Sequence, residues 1–272
     1  MEYKQNLHTH STYCDGKNSL EELILHAIEK GFSSIGFSSH SYMSFCDGVG
    51  LTKENEPLYK KEIEFLKEKY KNKIEIFKGI EYETFSNVDT TGYDYVIGSS
   101  HFLKIDGKYV DFDLKLEPTK KLINDYFDGD YLKFSKAYYE NLSNLYKTGK
   151  IDIIGHFDII SKHSDNILGF DEFNKTYLSY ALDTLNLLKG KIPFFELNTG
   201  AIARGYKKTP YPNVVLLKEM QKMGYSAIIT SDCHKKEFLD FNFKESEQLL
   251  KECGFKEKFI LTKNGFKGIK LQ

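Results

Sequence analysis

Three residues near the amino terminus carry side chains that can bind a metal ion. His8 and His10 follow a short apolar segment, and Asp15 comes shortly after them. In an extended strand, residues two apart point to the same side, so the two imidazoles face one direction. Two neutral imidazoles and a carboxylate suit a divalent cation. These residues alone leave a second interpretation open, in which both histidines are solvated on a surface strand.

Six further residues with metal-binding side chains come at the ends of apolar segments. They occur in GFSSH, FKGIEYE, DYVIGSSH, IDIIGH and IITSDCH, and they are His40, Glu81, His101, His156, Asp232 and His234. In a β/α barrel the active site lies at the carboxyl ends of the strands. We therefore expect all nine side chains to converge, with Glu83 on the same side of its strand as Glu81. This repetition favours a metal site over a solvated surface strand.

The rest of the chain predicts the elements that bring these residues together. Short apolar segments alternate with amphipathic helical patterns, which is typical of parallel β/α units. The candidate strands are 3–7, 34–38, 74–80, 93–98, 151–155, 193–197 and 226–230. The helical patterns cover 19–31, 55–73, 121–149, 171–190 and 213–224. The predicted fold is a closed or nearly closed α/β barrel, a single domain over residues 1–272, with a closing hairpin that turns at Asn264 and Gly265.

The number of candidate ligands predicts more than one metal ion. Nine ligands exceed one coordination sphere and fit about three divalent ions, with mixed imidazole and carboxylate shells suited to zinc, manganese or iron. Glu81, central and anionic, is the natural bridge between two ions. Clustered ions generate hydroxide at neutral pH and clamp a phosphoryl group during in-line displacement. Asp15, Glu81 and Asp232 supply the negative charge that closely spaced cations need.

One arginine stands out in a chain that otherwise uses lysine. Of the 38 basic residues, only Arg204 is arginine. Lysine does not reproduce the planar, two-pronged donor geometry of a guanidinium. A functional reason for keeping this residue is therefore one interpretation, and a surface arginine present by chance is the other.

Composition limits the classes of partner. The net charge is −1, so no overall positive field attracts nucleic acid or a membrane surface. No apolar segment approaches the ~20 residues of a membrane span, and the amino terminus lacks the apolar segment of a signal peptide. The predicted compartment is the cytoplasm. The cysteines lack metal-knuckle spacing and are predicted to be reduced thiols: Cys14, Cys46, Cys233 and Cys253.

The order of the motifs HTH, GFSSH, GIEYE, IGSSH, GHFD and SDCH resembles the PHP (polymerase and histidinol phosphatase) superfamily. The segment NTGAIARGYKKTPYP is similar to that of its monofunctional histidinol-phosphate phosphatases. The resemblance implies a distorted (β/α)7 barrel with three metal ions, in which a metal-bridging hydroxide attacks the phosphorus of L-histidinol phosphate. It also implies three ligand sets: His8, His10, Glu81 and Asp232; Glu81, His101 and His156; Asp15, His40 and His234.

The resemblance further implies how a small phosphate ester is bound. Arg204 falls where these phosphatases carry a phosphate-binding arginine, and a guanidinium can take two phosphoryl oxygens at once. A second arginine common after GHFD is replaced here by Ser161, followed by Lys162, which could supply the charge. We predict catalytic roles for Glu81, Asp232 and Arg204, and substrate contacts for Arg204, Lys162 and His163.

Several residues keep alternative interpretations. His163 is also compatible with a solvated loop, and His26 is more typical of a helix surface or of packing. Acidic residues near His101 are possible partners of a substrate amine or simply part of a solvated loop: Asp106, Asp111 and Asp113.

Three rival functions follow from the same residues. The protein could be a phosphoesterase for another small ester or a nucleotide, a nuclease of the same superfamily, or a metal-binding scaffold without catalysis. The neutral charge and the lack of an additional domain disfavour a nuclease, because surfaces that track phosphates are normally basic. The intact set of candidate ligands disfavours a scaffold.

Overall fold

Seven parallel strands form the centre of the protein in the computed structural model, which describes residues 3–271. In spatial order they are β1 (Gln5–Asn6), β2 (Ser34–Phe37), β3 (Glu75–Glu83), β4 (Tyr95–Ser99), β7 (Ile153–Ile154), β8 (Phe194–Asn198) and β9 (Ser226–Thr230). Every neighbouring pair is parallel. The predicted barrel is confirmed, although β1 and β7 are shorter than the sequence indicated.

The barrel is closed by a parallel bridge between the segments that follow its first and last strands. The backbone N–H of His10 donates to the carbonyl of Cys233 at 2.9 Å, and the N–H of Cys233 donates to the carbonyl of His8 at 2.9 Å. This parallel bridge lies beyond the ends of β1 and β9. It therefore holds the HTH and SDCH segments side by side, although they come from opposite ends of the chain.

Helices cover the outside of the barrel. They are α1 (Leu20–Glu29), α2 (Glu56–Tyr70), α3 (Leu116–Phe127), α4 (Tyr131–Leu142), α5 (Lys175–Leu188), α6 (Gly200–Ala203), α7 (Val214–Met223) and α8 (Phe243–Glu252). The capping box predicted at Ser19 and Glu22 is present. The prediction of one long helix over 121–149 is wrong, because Asp128 and Gly129 take left-handed backbone angles and separate α3 from α4. Helix α8 was not predicted.

Two hairpins complete the fold. The first, β5 (Phe102–Ile105) with β6 (Lys108–Asp111), follows His101 and was not predicted. The second, β10 (Glu257–Thr262) with β11 (Gly265–Lys270), is the expected closing hairpin. Thr262 pairs with Gly265, so its turn residues are Lys263 and Asn264, one position earlier than predicted.

The interior of the barrel is filled at the end opposite the strand carboxyl termini. Leu261 of the closing hairpin is buried in one cluster with Leu7 and Tyr95, and the side-chain amide of Gln5 pairs with the backbone of Leu261 at 2.8 Å in both directions. Gly79 leaves room for the Tyr95 ring, because a Cβ there would lie 2.2 Å from it. The Tyr95 hydroxyl donates to the carbonyl of Leu7, the residue before His8.

No helix within residues 3–271 has the length and apolar character needed to cross a membrane.

Candidate metal centre

The nine predicted residues lie together at the carboxyl ends of the strands. His8 and His10 follow β1, and Glu81 lies near the end of β3. Asp15 lies in the loop between β1 and α1. The remaining five come shortly after β2, β4, β7 and β9: His40, His101, His156, Asp232 and His234. Asp232 has a left-handed backbone with φ of 48°, an uncommon conformation for a non-glycine residue. The structure thus brings together all of the candidate ligands, while their binding of metal stays a prediction.

Glu81 is the centre of the cluster. Its side chain is 1% exposed, and five imidazoles place a ring nitrogen 2.9–3.5 Å from one of its oxygens: His8, His10, His40, His101 and His156. Its Oε2 faces His8, His10 and His40, while its Oε1 faces His101 and His156. The two oxygens therefore face two different groups of histidines, as a bridging carboxylate requires.

Two aspartates complete the cluster. Oδ1 of Asp232 lies 3.2 Å from Nε2 of His10 and 3.4 Å from Nδ1 of His234. Oδ2 of Asp15 lies 3.0 Å from Nε2 of His234, and its Oδ1 lies 3.7 Å from Nε2 of His40. Carboxylates thus alternate with imidazoles throughout the cluster.

The donor atoms are arranged as ligands of a cation. Nε2 of His101 and Nε2 of His156 are 3.2 Å apart and face the same Glu81 oxygen. Nε2 of His8, Nε2 of His10 and Oε2 of Glu81 are buried without a hydrogen bond. Ligand atoms ~2.1 Å from a shared ion lie roughly 3.0–3.4 Å from one another. The spacing and the donor types therefore fit zinc, manganese or iron.

The distances between donor atoms do not divide the ligands into the three separate sets that were expected. Atoms within 4.8 Å of one another come from His10, Asp15, His40 and His234; from His8, His10 and Asp232; and from His40, Glu81 and His101. His10 and His40 each belong to two groups. The division into separate coordination shells stays a prediction.

The electrostatics of the cluster favour a bound cation. Burial opposes ionisation of Glu81, yet His40 and His8 outweigh it and hold the pKa of this carboxyl well below its usual range. Burial, His234 and His40 lower the pKa of His10 to about 3, which leaves its imidazole neutral and able to act as a ligand. Burial also lowers the pKa of His8, but Glu196 and Glu81 raise it well above its usual range. The pocket around His8 is thus strongly negative.

A cavity of about 320 Å³ opens above the cluster. Its wall includes Asp15, His101 and His234 from the cluster, together with Arg204 and Lys162. Met43, Phe102 and Ile159 add apolar surface. This volume and mixed lining are typical of a site for a small molecule.

Arg204 lies directly beside the cluster. It follows α6, and its two terminal nitrogens donate to Oδ2 of Asp232 at 2.8 Å and to the carbonyl of Asp232 at 3.0 Å. Burial would lower the pKa of the guanidinium, but Asp232 raises it. The side chain keeps 27% exposure and faces the cavity. Arg204 is therefore a half-buried residue paired with Asp232 rather than a fully exposed surface arginine, and its function stays a prediction.

Ser161 and Lys162, which follow GHFD, have different environments. Lys162 lines the cavity and donates to Oδ1 of Asp113 at 2.7 Å. The Ser161 hydroxyl instead points to the buried Lys207, whose ammonium lies 2.8 Å away and also pairs with Glu172. Position 161 therefore supplies no cation to the cavity.

The environment of His163 differs from both of its predicted roles, a solvated loop residue and a substrate contact. The residue is 5% exposed, so it is not a solvated loop histidine. It does not line the cavity, because its Nε2 lies 3.0 Å from the carbonyl of Leu114 and its ring packs edge-on against Tyr206. A direct contact between His163 and a molecule in the cavity is therefore not supported by this geometry. His26 lies in α1 as expected, near Glu29.

The acidic residues after His101 divide into two groups. Asp106 is exposed in the turn of the first hairpin, so the solvated interpretation holds for it. Asp111 and Asp113 line the cavity. The charge of Asp113 is neutralised by Lys162. Within the described residues, the Asp111 carboxylate accepts one hydrogen bond, from the backbone N–H of Asp113.

Sequence reasoning missed a buried carboxylate beneath the cluster. Glu196 lies inside β8, is 0% exposed and has its Oε2 2.8 Å from Nδ1 of His8. Glu83, noted only for its direction, has its Oε2 3.1 Å from Nδ1 of His101. The indication for Glu196 was a charged residue within the apolar segment FFELN, since carboxylates are rarely buried without a partner.

A parallel barrel with a histidine–carboxylate cluster at its strand ends defines a metal-binding α/β barrel. The chain belongs to the PHP family, since the PHP domain model matches residues 6–200. The histidinol-phosphatase of Bacillus subtilis is 24% identical over 254 residues, which cover 85% of this chain and 94% of that protein.

Two solved structures show the same fold. A protein of Listeria monocytogenes superposes with a TM-score of 0.77 at 20% identity, covering 89% of this chain and 99% of that one. The histidinol phosphate phosphatase of Lactococcus lactis, solved with zinc, L-histidinol and phosphate, gives a TM-score of 0.71 at 19% identity and covers 97% of this chain and 98% of that one.

Proposed function

We propose that this protein is a metal-dependent histidinol-phosphate phosphatase, which hydrolyses L-histidinol phosphate to L-histidinol and phosphate in histidine synthesis. The observation that carries the proposal is the position of Glu81, surrounded by five imidazoles directly below a small cavity. The similarity of the chain to the named phosphatases of Bacillus subtilis and Lactococcus lactis supports L-histidinol phosphate as the substrate.

The nine clustered residues would hold about three divalent ions of zinc, manganese or iron. The proposed sets are His8, His10, Glu81 and Asp232; Glu81, His101 and His156; Asp15, His40 and His234. When bound, such ions supply Lewis acidity and lower the pKa of water, which provides a nucleophile at neutral pH. Glu81 and Asp232 would hold such cations, because the negative charge of the two carboxylates would offset the repulsion between neighbouring cations.

Arg204 and Lys162 would bind the phosphoryl group from the side of the cavity. The guanidinium of Arg204 is held by Asp232 and has further N–H groups to donate towards the cavity. Donors placed where negative charge develops lower the barrier, because they need no reorganisation during the reaction. Lys162, fixed by Asp113, supplies a second positive charge without the planar geometry.

Asp111 is the best candidate for the partner of the substrate amine. It lines the same cavity as Arg204, and its charge is not neutralised by a lysine as that of Asp113 is. Burial and the neighbouring Asp113 raise the pKa of Asp111, and a cationic amine would relieve both effects. The cavity would thus bind a phosphoryl group through Arg204 and Lys162 and a cation through Asp111.

In this proposal, residues 1–272 form one barrel domain. The protein acts in the cytoplasm on a small molecule and binds neither nucleic acid nor a membrane. The alternative function is hydrolysis of another small phosphate ester or a nucleotide. It is favoured by one observation, the Ser161 hydroxyl that contacts Lys207 where related phosphatases commonly offer an arginine.

A substrate panel separates the two functions. The purified protein, supplied with manganese or zinc, is assayed with L-histidinol phosphate, p-nitrophenyl phosphate and nucleoside monophosphates. A kcat/KM for histidinol phosphate well above the others supports the proposal, and a preference for nucleotides overturns it. Asp111→Asn should raise KM for histidinol phosphate while leaving p-nitrophenyl phosphate, which carries no amine, unchanged.

A further inference from the structure

Glu196 has all of its acceptor positions filled. Its Oε2 lies 2.8 Å from Nδ1 of His8 and accepts the Thr230 hydroxyl at 2.9 Å. Its Oε1 accepts the backbone N–H of His156 at 2.6 Å and the side-chain amide of Asn198 at 2.7 Å. Two oxygens with four donors leave no lone pair for a cation or for a substrate. Glu196 is therefore neither a metal ligand nor a proton carrier.

Its contacts fix two histidines that face opposite oxygens of Glu81. A ring that donates from Nδ1 to Glu196 presents Nε2 as its metal-binding atom, and Nε2 of His8 lies 3.2 Å from Oε2 of Glu81. The bond to the backbone of His156 holds the end of β7, and Nε2 of His156 lies 3.0 Å from Oε1 of Glu81. One carboxylate thus holds the ring of His8 and the backbone of His156, whose imidazoles lie on the two sides of the bridge.

We infer that Glu196 is a positioning residue that tunes two metal positions at once, the one that includes His8 and the one that includes His156. The inference rests on the proposed metal-dependent function. Carboxylates that orient metal-binding histidines typically change metal affinity 10–100-fold when they are removed. The distinctive feature here is that a single side chain supports ligands of two neighbouring ions.

Glu83 provides a matched comparison within the same site. Its Oε2 lies 3.1 Å from Nδ1 of His101 and accepts the N–H of His101 at 2.8 Å. Both contacts belong to one residue, so Glu83 supports one histidine where Glu196 supports two. It is buried to a similar degree, at 2% exposure. Replacing each glutamate by glutamine therefore compares one supported ligand with two.

Glutamine is a discriminating substitution at position 196. It keeps the size of the side chain, but one oxygen becomes an NH2 group that donates instead of accepting. Such a side chain can accept from His8 or from the N–H of His156, but not from both. In either orientation of the amide, one supported histidine loses its acceptor and the other loses the negative charge that strengthened its hydrogen bond, so the variant disturbs both.

The test is a competition between the metal-free protein and a chromophoric chelator for zinc. Glu196→Gln should weaken at least two zinc equivalents by about 10–100-fold, whereas Glu83→Gln should weaken one. Melting of the metal-free proteins serves as the folding control, and Glu196→Asp, which keeps the charge, replaces Glu196→Gln if that variant does not fold. For Glu196→Asp the prediction is a smaller loss at the same two equivalents.

A second measurement reads the position of the proton directly. In the zinc-loaded wild type, nitrogen chemical shifts of the His8 ring should show a protonated Nδ1 and a metal-bound Nε2, and the hydrogen bond of the Nδ1 proton should weaken in Glu196→Gln. Unchanged zinc affinity in Glu196→Gln, or a loss equal to that of Glu83→Gln, overturns the inference. Neither measurement uses a phosphate ester, so failure of the proposed substrate would leave this result interpretable.

Discussion

At the scale of single residues, Glu81 joins the two halves of the cluster. Its two oxygens face different imidazoles, and the histidines hold its pKa well below the usual range despite burial. Glu81→Gln keeps the size and removes the charge, so turnover should fall to a small fraction while the protein remains folded. Turnover and melting temperature are measured together. Glu75→Gln, at the opposite end of β3, is the matched control and should behave as the wild type.

Near-normal turnover of Glu81→Gln would show that this carboxylate is not the bridge. Equal losses in both variants would point to a general effect on β3 rather than on the cluster.

Arg204 offers the second test at this scale. Arg204→Lys keeps the charge but loses the planar pair of donors, and loss of one such transition-state donor typically costs ~2.7–4 kcal/mol, about a hundredfold or more in turnover. Stability should fall by about 0.5–1.5 kcal/mol, because lysine does not make both of the hydrogen bonds that Arg204 donates to Asp232. The measurement is kcat/KM for histidinol phosphate, with thermal melting as the control. Equal kinetics would leave Lys162 as the better phosphate partner.

The sequence predicted the nine candidate ligands because each belongs to a strand-end segment or the loop after it, and parallel strands bring their carboxyl ends to one place. Glu196 was not predicted because it lies in the middle of β8, whereas the pattern that indicated the ligands is a metal-binding residue at or just after a strand end. Burial of Ser161 against Lys207 was also not predictable, since that contact joins segments 46 residues apart.

At the scale of elements, the seven barrel strands were predicted within a few residues because each is a short apolar segment between helical patterns. β1 and β7 are shorter than expected because a strand ends where its ladder of hydrogen bonds ends, and this depends on its neighbours. The hairpin of β5 and β6 turns at Asp106 and Gly107, both with positive φ. The Asp-Gly pair was available in the sequence as an indication of this turn.

The closing hairpin provides a stability test that is separate from the site. Leu261 is 4% exposed and packs inside the barrel at the end away from the cluster. Leu261→Ala should lower the free energy of unfolding by about 2–5 kcal/mol, because it leaves a cavity in packed surroundings, while kcat stays unchanged. Leu168→Ala, at a fully exposed leucine with 104% relative exposure, is the matched control.

Urea unfolding of the two variants measures the difference. A loss of turnover in Leu261→Ala at temperatures where it is fully folded would contradict the separation between the hairpin and the site. Equal unfolding free energies for the two variants would contradict the role of Leu261 in filling the barrel.

At the scale of the whole molecule, the cluster gathers side chains from strands at both ends of the chain, so a complete site exists only in the folded barrel. A cation that binds the folded state alone stabilises it by about 2.7 kcal/mol when its concentration is a hundred times its dissociation constant. Zinc or manganese should therefore raise the melting temperature of metal-free protein, and calcium should raise it less, because imidazole ligands disfavour calcium. Equal shifts for all three cations would indicate non-specific binding.

The central claim is that the nine clustered residues hold metal ions that are required for hydrolysis of histidinol phosphate. The most direct measurement titrates metal-free protein with zinc or manganese and follows bound metal and phosphate release in the same samples. Phosphate release should be negligible without metal, and activity should rise with metal binding until about three ions are bound per chain. Full activity in the metal-free protein, or full activity with one ion or fewer bound, would contradict it.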